Sequence, residues 1–61
     1  MYRVYFQEVG DKLYHNGQYE KKKDALRFYM TYQKNHDLIK SYVVKIHKNG
    51  EEEIIVAYHK K

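Results

Sequence analysis

The chain has no cysteine, no proline and no tryptophan, and only three glycines and one serine. Without cysteine there is no disulfide framework, no thiolate metal site and no thiol nucleophile. Nothing in the sequence requires an oxidising compartment. No apolar run is long enough for a membrane-spanning helix. No positively charged segment leads into an apolar stretch at the N-terminus, so no secretory leader is expected. These absences together predict a cytoplasmic protein. There is no glycine-rich phosphate loop. A Ser–His–Asp arrangement cannot be read around Ser41, the lone serine. A chain of 61 residues can scarcely enclose a substrate pocket. The expectation is a protein that is not an enzyme and holds no cofactor.

What is present is a single domain spanning residues 1–61, near the lower size limit for folding without a covalent or metal staple. Hydrophobic residues make up 43% of it, enough for a small core, and eight of them are tyrosines. The net charge is +4, which raises the question of a polyanionic partner. Lysine far outnumbers arginine, which occurs only at Arg3 and Arg27, and Tyr, Ile and Asn are plentiful. An AT-rich genome writes this composition whatever the protein does. It is common in short proteins of low-GC Gram-positive bacteria and their phages and plasmids.

The strongest local signal lies between Lys40 and Lys61. Ser41–Lys48 and Ile54–Tyr58 are rich in β-branched and aromatic residues. Asn49-Gly50 between them marks a hairpin. A two-residue turn would place Ile46 and Glu53 on one side. A three-residue loop, Lys48-Asn49-Gly50, pairs His47 with Glu51, Lys45 with Glu53, Val44 with Ile54, Val43 with Ile55 and Tyr42 with Val56. The second register joins opposite charges and gathers the apolar residues, and a one-residue slip would lose that set. It predicts a positive φ at Gly50.

Upstream, Tyr2–Val9 alternates as a half-buried strand with Val4 and Phe6 inward, and Gly10-Asp11 ends it. Residues 12–20 contain a second Asn-Gly, Asn16-Gly17. They read equally as a short strand pairing back on the first or as a tight irregular turn. A helix is predicted over residues 22–35. Ala25, Leu26, Tyr29, Tyr32 and Gln33 share its inner face, flanked by Phe28 and Met30. Asp24 suits the positive helix end, which Lys21, Lys22 and Lys23 do not. Leu38 and Ile39 are expected to tuck beneath the helix.

The resulting fold class is α+β: a small mixed three- to four-stranded sheet, β-(β)-α-β-β, with one helix packed on one face. The strand–helix–strand rule predicts that the first strand runs parallel to residues 41–48. The uncovered face is then expected to show Arg3, Tyr5, Gln7, Val43, Lys45, His47, Glu51, Glu53, Ile55 and Ala57.

The four histidines, His15, His36, His47 and His59, have no helical metal-ligand spacing, and no metal site is expected. Glu51–Glu53 alternate between faces and suit cross-strand pairing with Lys45 and His47. Two functional readings remain. The first is a non-catalytic protein-binding module, of the kind a phage or mobile element encodes as a regulator or inhibitor of a host protein. It would use Tyr5, Val43, Ile55 and Tyr58, since tyrosine is enriched at interfaces and open sheet edges accept strands. The second is nucleic-acid binding through Lys21, Lys22 and Lys23 at the helix N-terminus, extended by Arg3, Lys45, Lys60 and Lys61, with tyrosines stacking on bases. Open edges also allow a homodimer under either reading.

Overall fold

The computed structural model describes residues 1–60. The chain runs β1 (Tyr2–Glu8), β2 (Tyr14–Tyr19), α1 (Lys22–Asn35), β3 (Leu38–Ile46) and β4 (Glu52–His59). The strands form one four-stranded sheet in the order β2-β1-β3-β4, and α1 packs on one of its faces. The fold is α+β, and the short strand after Gly10 is present.

The sheet is antiparallel throughout, which corrects the expected mixed sheet: β1 and β3 run antiparallel. The reason lies in β2. It pairs back on β1, so the chain enters the helix from β2 and not from β1. β2 and β3 flank β1 and both oppose it, so they are parallel to each other. The crossover rule therefore applies to β2-α1-β3, with β1 lying between its two strands.

The second Asn-Gly is not a turn. Arg3 pairs with Gln18 and Tyr5 with His15, so β2 carries one extra residue opposite Val4. Gly17 has φ +69°, the left-handed conformation that a bulge of this kind takes. The first Asn-Gly does turn the chain. The His47 N–H donates to the Glu51 carbonyl at 2.8 Å and the Gly50 N–H to the His47 carbonyl at 2.9 Å. Asn49 Oδ1 accepts from the Glu51 N–H at 3.0 Å. This is the three-residue loop, and Val44↔Ile54 and Lys45↔Glu53 pair as expected. Beyond them β4 carries a bulge at Ile55. Val43 therefore faces Val56, and Tyr42 faces Ala57, in place of the predicted Ile55 and Val56.

Helix α1 starts and stops where its periodicity predicts. Ala25 and Tyr29 are buried against Val4, Phe6, Leu38 and Val43. Leu38 does lie under the helix, but as the first residue of β3. Met30 is 66% exposed and belongs to the outer surface. Most of the partly buried residues packed around the core are aromatic. Tyr32 stacks on Phe6 with centroids 4.1 Å apart, and on His36 at 3.8 Å. Tyr14 meets the edge of Phe6 at 5.0 Å. Such contacts add about 0.5–1.5 kcal/mol each beyond the area they bury. The Tyr14 and Tyr32 hydroxyls share a 2.6 Å hydrogen bond, and His36 Nδ1 sits 2.8 Å from Glu8 Oε1.

Two measurements check this account. A Cβ at Gly50 would meet no atom within 4 Å, so Gly50→Ala isolates the cost of its φ of +90°. We expect a loss of about 1 kcal/mol in urea unfolding. The second concerns Tyr14, whose phenol is held neutral, first by its bond to Tyr32 and then by desolvation, so its pKa lies above the ordinary value. Burial raises Tyr19 and Tyr42 in the same direction. A pKa raised on folding gives stability that is complete below the unfolded value, about 10 for tyrosine, and is lost as pH climbs toward the folded value. Stability should fall above about pH 10, and Tyr14→Phe should flatten that fall. Equal alkaline slopes in the two proteins would refute the assignment.

Candidate interaction surfaces

The sheet face opposite α1 is built in rows set by the register. His15, Tyr5, Tyr42 and Ala57 form one row, Gln18, Arg3, Val44 and Ile54 the next, and Gln7, Lys40 and His59 a third. Tyr5 and Tyr42 stack with centroids 4.9 Å apart. His15 stands edge-on to Tyr5 at 5.6 Å, and the Lys40 ammonium lies 5.7 Å from the Tyr42 ring centroid. Arg3 Nη1 donates to the Tyr5 hydroxyl at 3.1 Å and to Glu52 Oε2 at 3.4 Å. The Tyr5 hydroxyl donates in turn to Glu52 Oε1 at 3.1 Å. The Tyr5 hydroxyl first, and the Glu52 carboxylate with it, hold the Arg3 guanidinium charged more firmly than usual, against the opposing effect of desolvation.

This face is packed although α1 does not cover it. Val44 is only 1% exposed; by register its neighbours there are Arg3, Tyr42, Ile46 and Ile54. Ile54 beside it is 59% exposed. The result is a small apolar and aromatic patch whose tyrosine rings are fixed by stacking and by the Arg3–Glu52 bridge.

Of the four residues expected to bind a partner, only Tyr5 lies here. Val43 is fully buried on the helix side, where it pairs with Val4. Ile55 and Tyr58 are half-buried against the core on that same side. Lys45 also faces the helix side, since it pairs with Tyr2, whose neighbour along β1 on that face is Val4. The antiparallel register decides this: it sets Ser41 and Val43 against Phe6 and Val4, and turns Tyr42, Val44 and Ile46 outward. Hydropathy favours the larger even-numbered set for the core. The pairing Val44↔Ile54 was readable from the hairpin, but the face it occupies was not.

The basic residues divide. Arg3 lies on the open face and cannot join a site at the helix start. Lys45 shares a row with Tyr2, and Tyr2 with Tyr19, so it stands at the sheet end from which the chain enters α1. Lys21 is the N-cap with extended backbone and no side-chain capping bond, and Asp24 lies in the first turn. Lys60 bonds Asp37 at 3.1 Å, and Lys61 lies outside the described residues. The outer face of α1 was not anticipated. Lys23, Arg27 and Lys34 flank Leu26, Met30 and Thr31 around an open depression of about 440 Å³.

The histidines stand apart. His36 bonds Glu8, His47 Nε2 lies 2.9 Å from Glu53 Oε1, His15 rests on Tyr5, and His59 pairs with Lys40. Among the described residues no three His, Asp or Glu side chains converge on a metal-sized site. Among the same residues no helix is long and apolar enough to cross a membrane. No protein-family model, curated protein or solved structure matches the chain.

Proposed function

We propose that this is a non-catalytic, cytoplasmic protein-binding module whose contact surface is the open sheet face around Tyr5, Tyr42, Val44 and Ile54. The observation that supports it is the pairing of a buried Val44 with a 59% exposed Ile54 and a stacked tyrosine pair on a face without a covering layer. Tyrosines supply large contact area at low entropic cost, and here their rotamers are already restrained. Arg3 and Lys40 at the margin favour a partner whose apolar segment is flanked by carboxylates. The short AT-rich style of the chain fits a phage- or mobile-element-encoded regulator or inhibitor of a host protein.

The test replaces Tyr42 with a photo-crosslinking phenylalanine analogue and uses the same probe at Lys48, on the turn, as a control. Crosslinked protein is expected from position 42 only. Tyr42→Ala and Ile54→Ser should each weaken capture of that protein about tenfold or more while leaving the far-UV spectrum unchanged. Capture that is indifferent to both substitutions overturns the reading.

A second reading, nucleic-acid binding, is favoured by one observation. Residues 21–35 hold five cations, Lys21, Lys22, Lys23, Arg27 and Lys34, against the single carboxylate of Asp24, which equals the +4 of the whole chain. Under it, labelled nucleic acid binds with an affinity that falls steeply as salt rises, and Lys23→Glu with Arg27→Glu abolishes binding. A flat salt dependence argues against phosphate contacts.

A further inference from the structure

Strand β4 is an edge of the sheet, paired only with β3. The backbone of α1 lies over β1, β2 and β3 and does not approach β4. On the helix side β4 therefore leaves Ile55, Val56 and Tyr58 half-buried beside the core, and on the open side it leaves Ile54 exposed.

The hydrogen-bonding pattern of this edge can be worked out from its two ends. Near the turn the Glu51 carbonyl points inward, accepting from His47, and at the far end the Lys60 N–H points inward to the Ile39 carbonyl at 2.7 Å. Antiparallel pairing alternates inward and outward groups. The outward set is thus Glu52 and Ile54 before the bulge at Ile55, and Ala57 and His59 after it. These four stand opposite Ile46, Val44, Tyr42 and Lys40 of β3, at every second position of that strand, so their outward N–H and C=O groups keep an even ladder spacing.

This set maps onto itself when the strand is reversed. Turning a second copy about a point between Ile55 and Val56 sets Glu52 against His59 and Ile54 against Ala57, each as a hydrogen-bonded pair. Both members of each pair have side chains on the open face. The same operation sets Glu51 against Lys60, so the acidic start of β4 in one copy lies on the basic end of the other. A parallel arrangement would stack like charges.

A bulge on an edge strand normally discourages pairing. Here it lies at the centre of the operation, so both copies carry it at the same point, and it permits only this register across the four outward residues. The other edge offers no such row: β2 has six residues interrupted by the left-handed Gly17.

We propose that β4 is the contact edge of a twofold homodimer, two copies joining into one continuous antiparallel sheet through Glu52–His59. The partner is a second copy because the charge pattern and the outward hydrogen-bonding set are both self-complementary. The two helices then lie on the same side, and the half-buried Ile55, Val56 and Tyr58 strips meet between them.

Sedimentation equilibrium across a concentration series tests this. The wild-type chain is expected to form a dimer that does not grow into larger species. Ala57→Pro removes an outward N–H that β3 does not use, and Ile54→Lys places a charge on the contact line. Each should raise the dimer dissociation constant at least roughly tenfold with an unchanged far-UV spectrum. Should the proline variant fail to fold, Ile54→Lys alone decides. An isotope-filtered contact between the Ile54 and Ala57 methyls of different copies fixes the register. A wild-type chain that stays monomeric, a dimer unaffected by Ile54→Lys, or a dimer lacking that methyl contact overturns the proposal.

Discussion

One helix has to roof four strands, and it cannot. A helix is about 10 Å across and strands lie about 4.8 Å apart, so α1 covers the centre of the sheet and one flank. The distribution of burial in the fold follows from that limit. The two central strands, β1 and β3, supply the fully buried side chains Val4, Phe6, Leu38 and Val43. The flanking strands are left half-covered, and the opposite face has to manage without a second layer. It does so with Val44 held between Arg3 and Ile54, and with Arg3, Tyr5 and Glu52 tied to one another by hydrogen bonds.

Tyrosine makes this economy possible. On the helix side the rings of Tyr14, Tyr29 and Tyr32 serve as core, with their hydroxyls directed to one another or to the boundary. On the open side the same residue type serves as a lid whose polar tip reaches Glu52. A chain this short gains large apolar area per residue in this way and keeps a polar handle wherever burial is incomplete. The compromise shows at Ser41, fully buried opposite Phe6 and Tyr58, whose hydroxyl has no hydrogen-bond partner among the described residues.

The parts legible in the sequence are those controlled by near neighbours along the chain. The Asn49-Gly50 loop, the Val44–Ile54 and Lys45–Glu53 pairs, and the helix bounds all depend on contacts within a hairpin or a few helical turns. The parts that were not legible depend on partners far away in sequence. The direction of β3 is set by β2, whose existence the Asn16-Gly17 pair left open because a turn and a bulge require the same residues. The face of β3 is set by β1. Both of its parities carry valines, so its own periodicity could not choose between Val43 and Val44. The candidate surface inherited that ambiguity: Tyr5 was placed correctly because β1 alternates cleanly, whereas Val43 and Ile55 fell on the wrong side and Tyr42 and Ile54 were overlooked.

The left-handed Gly17 has an effect that reaches beyond its own strand. It bends β2 near its middle and, with only six residues in that strand, leaves a shorter edge there than the eight residues of β4. A sheet with two competent edges can add copies without end and grow into a fibre. In the proposed dimer each β4 is already paired and only the short, bulged β2 edges are left, so association through β4 would stop at two copies.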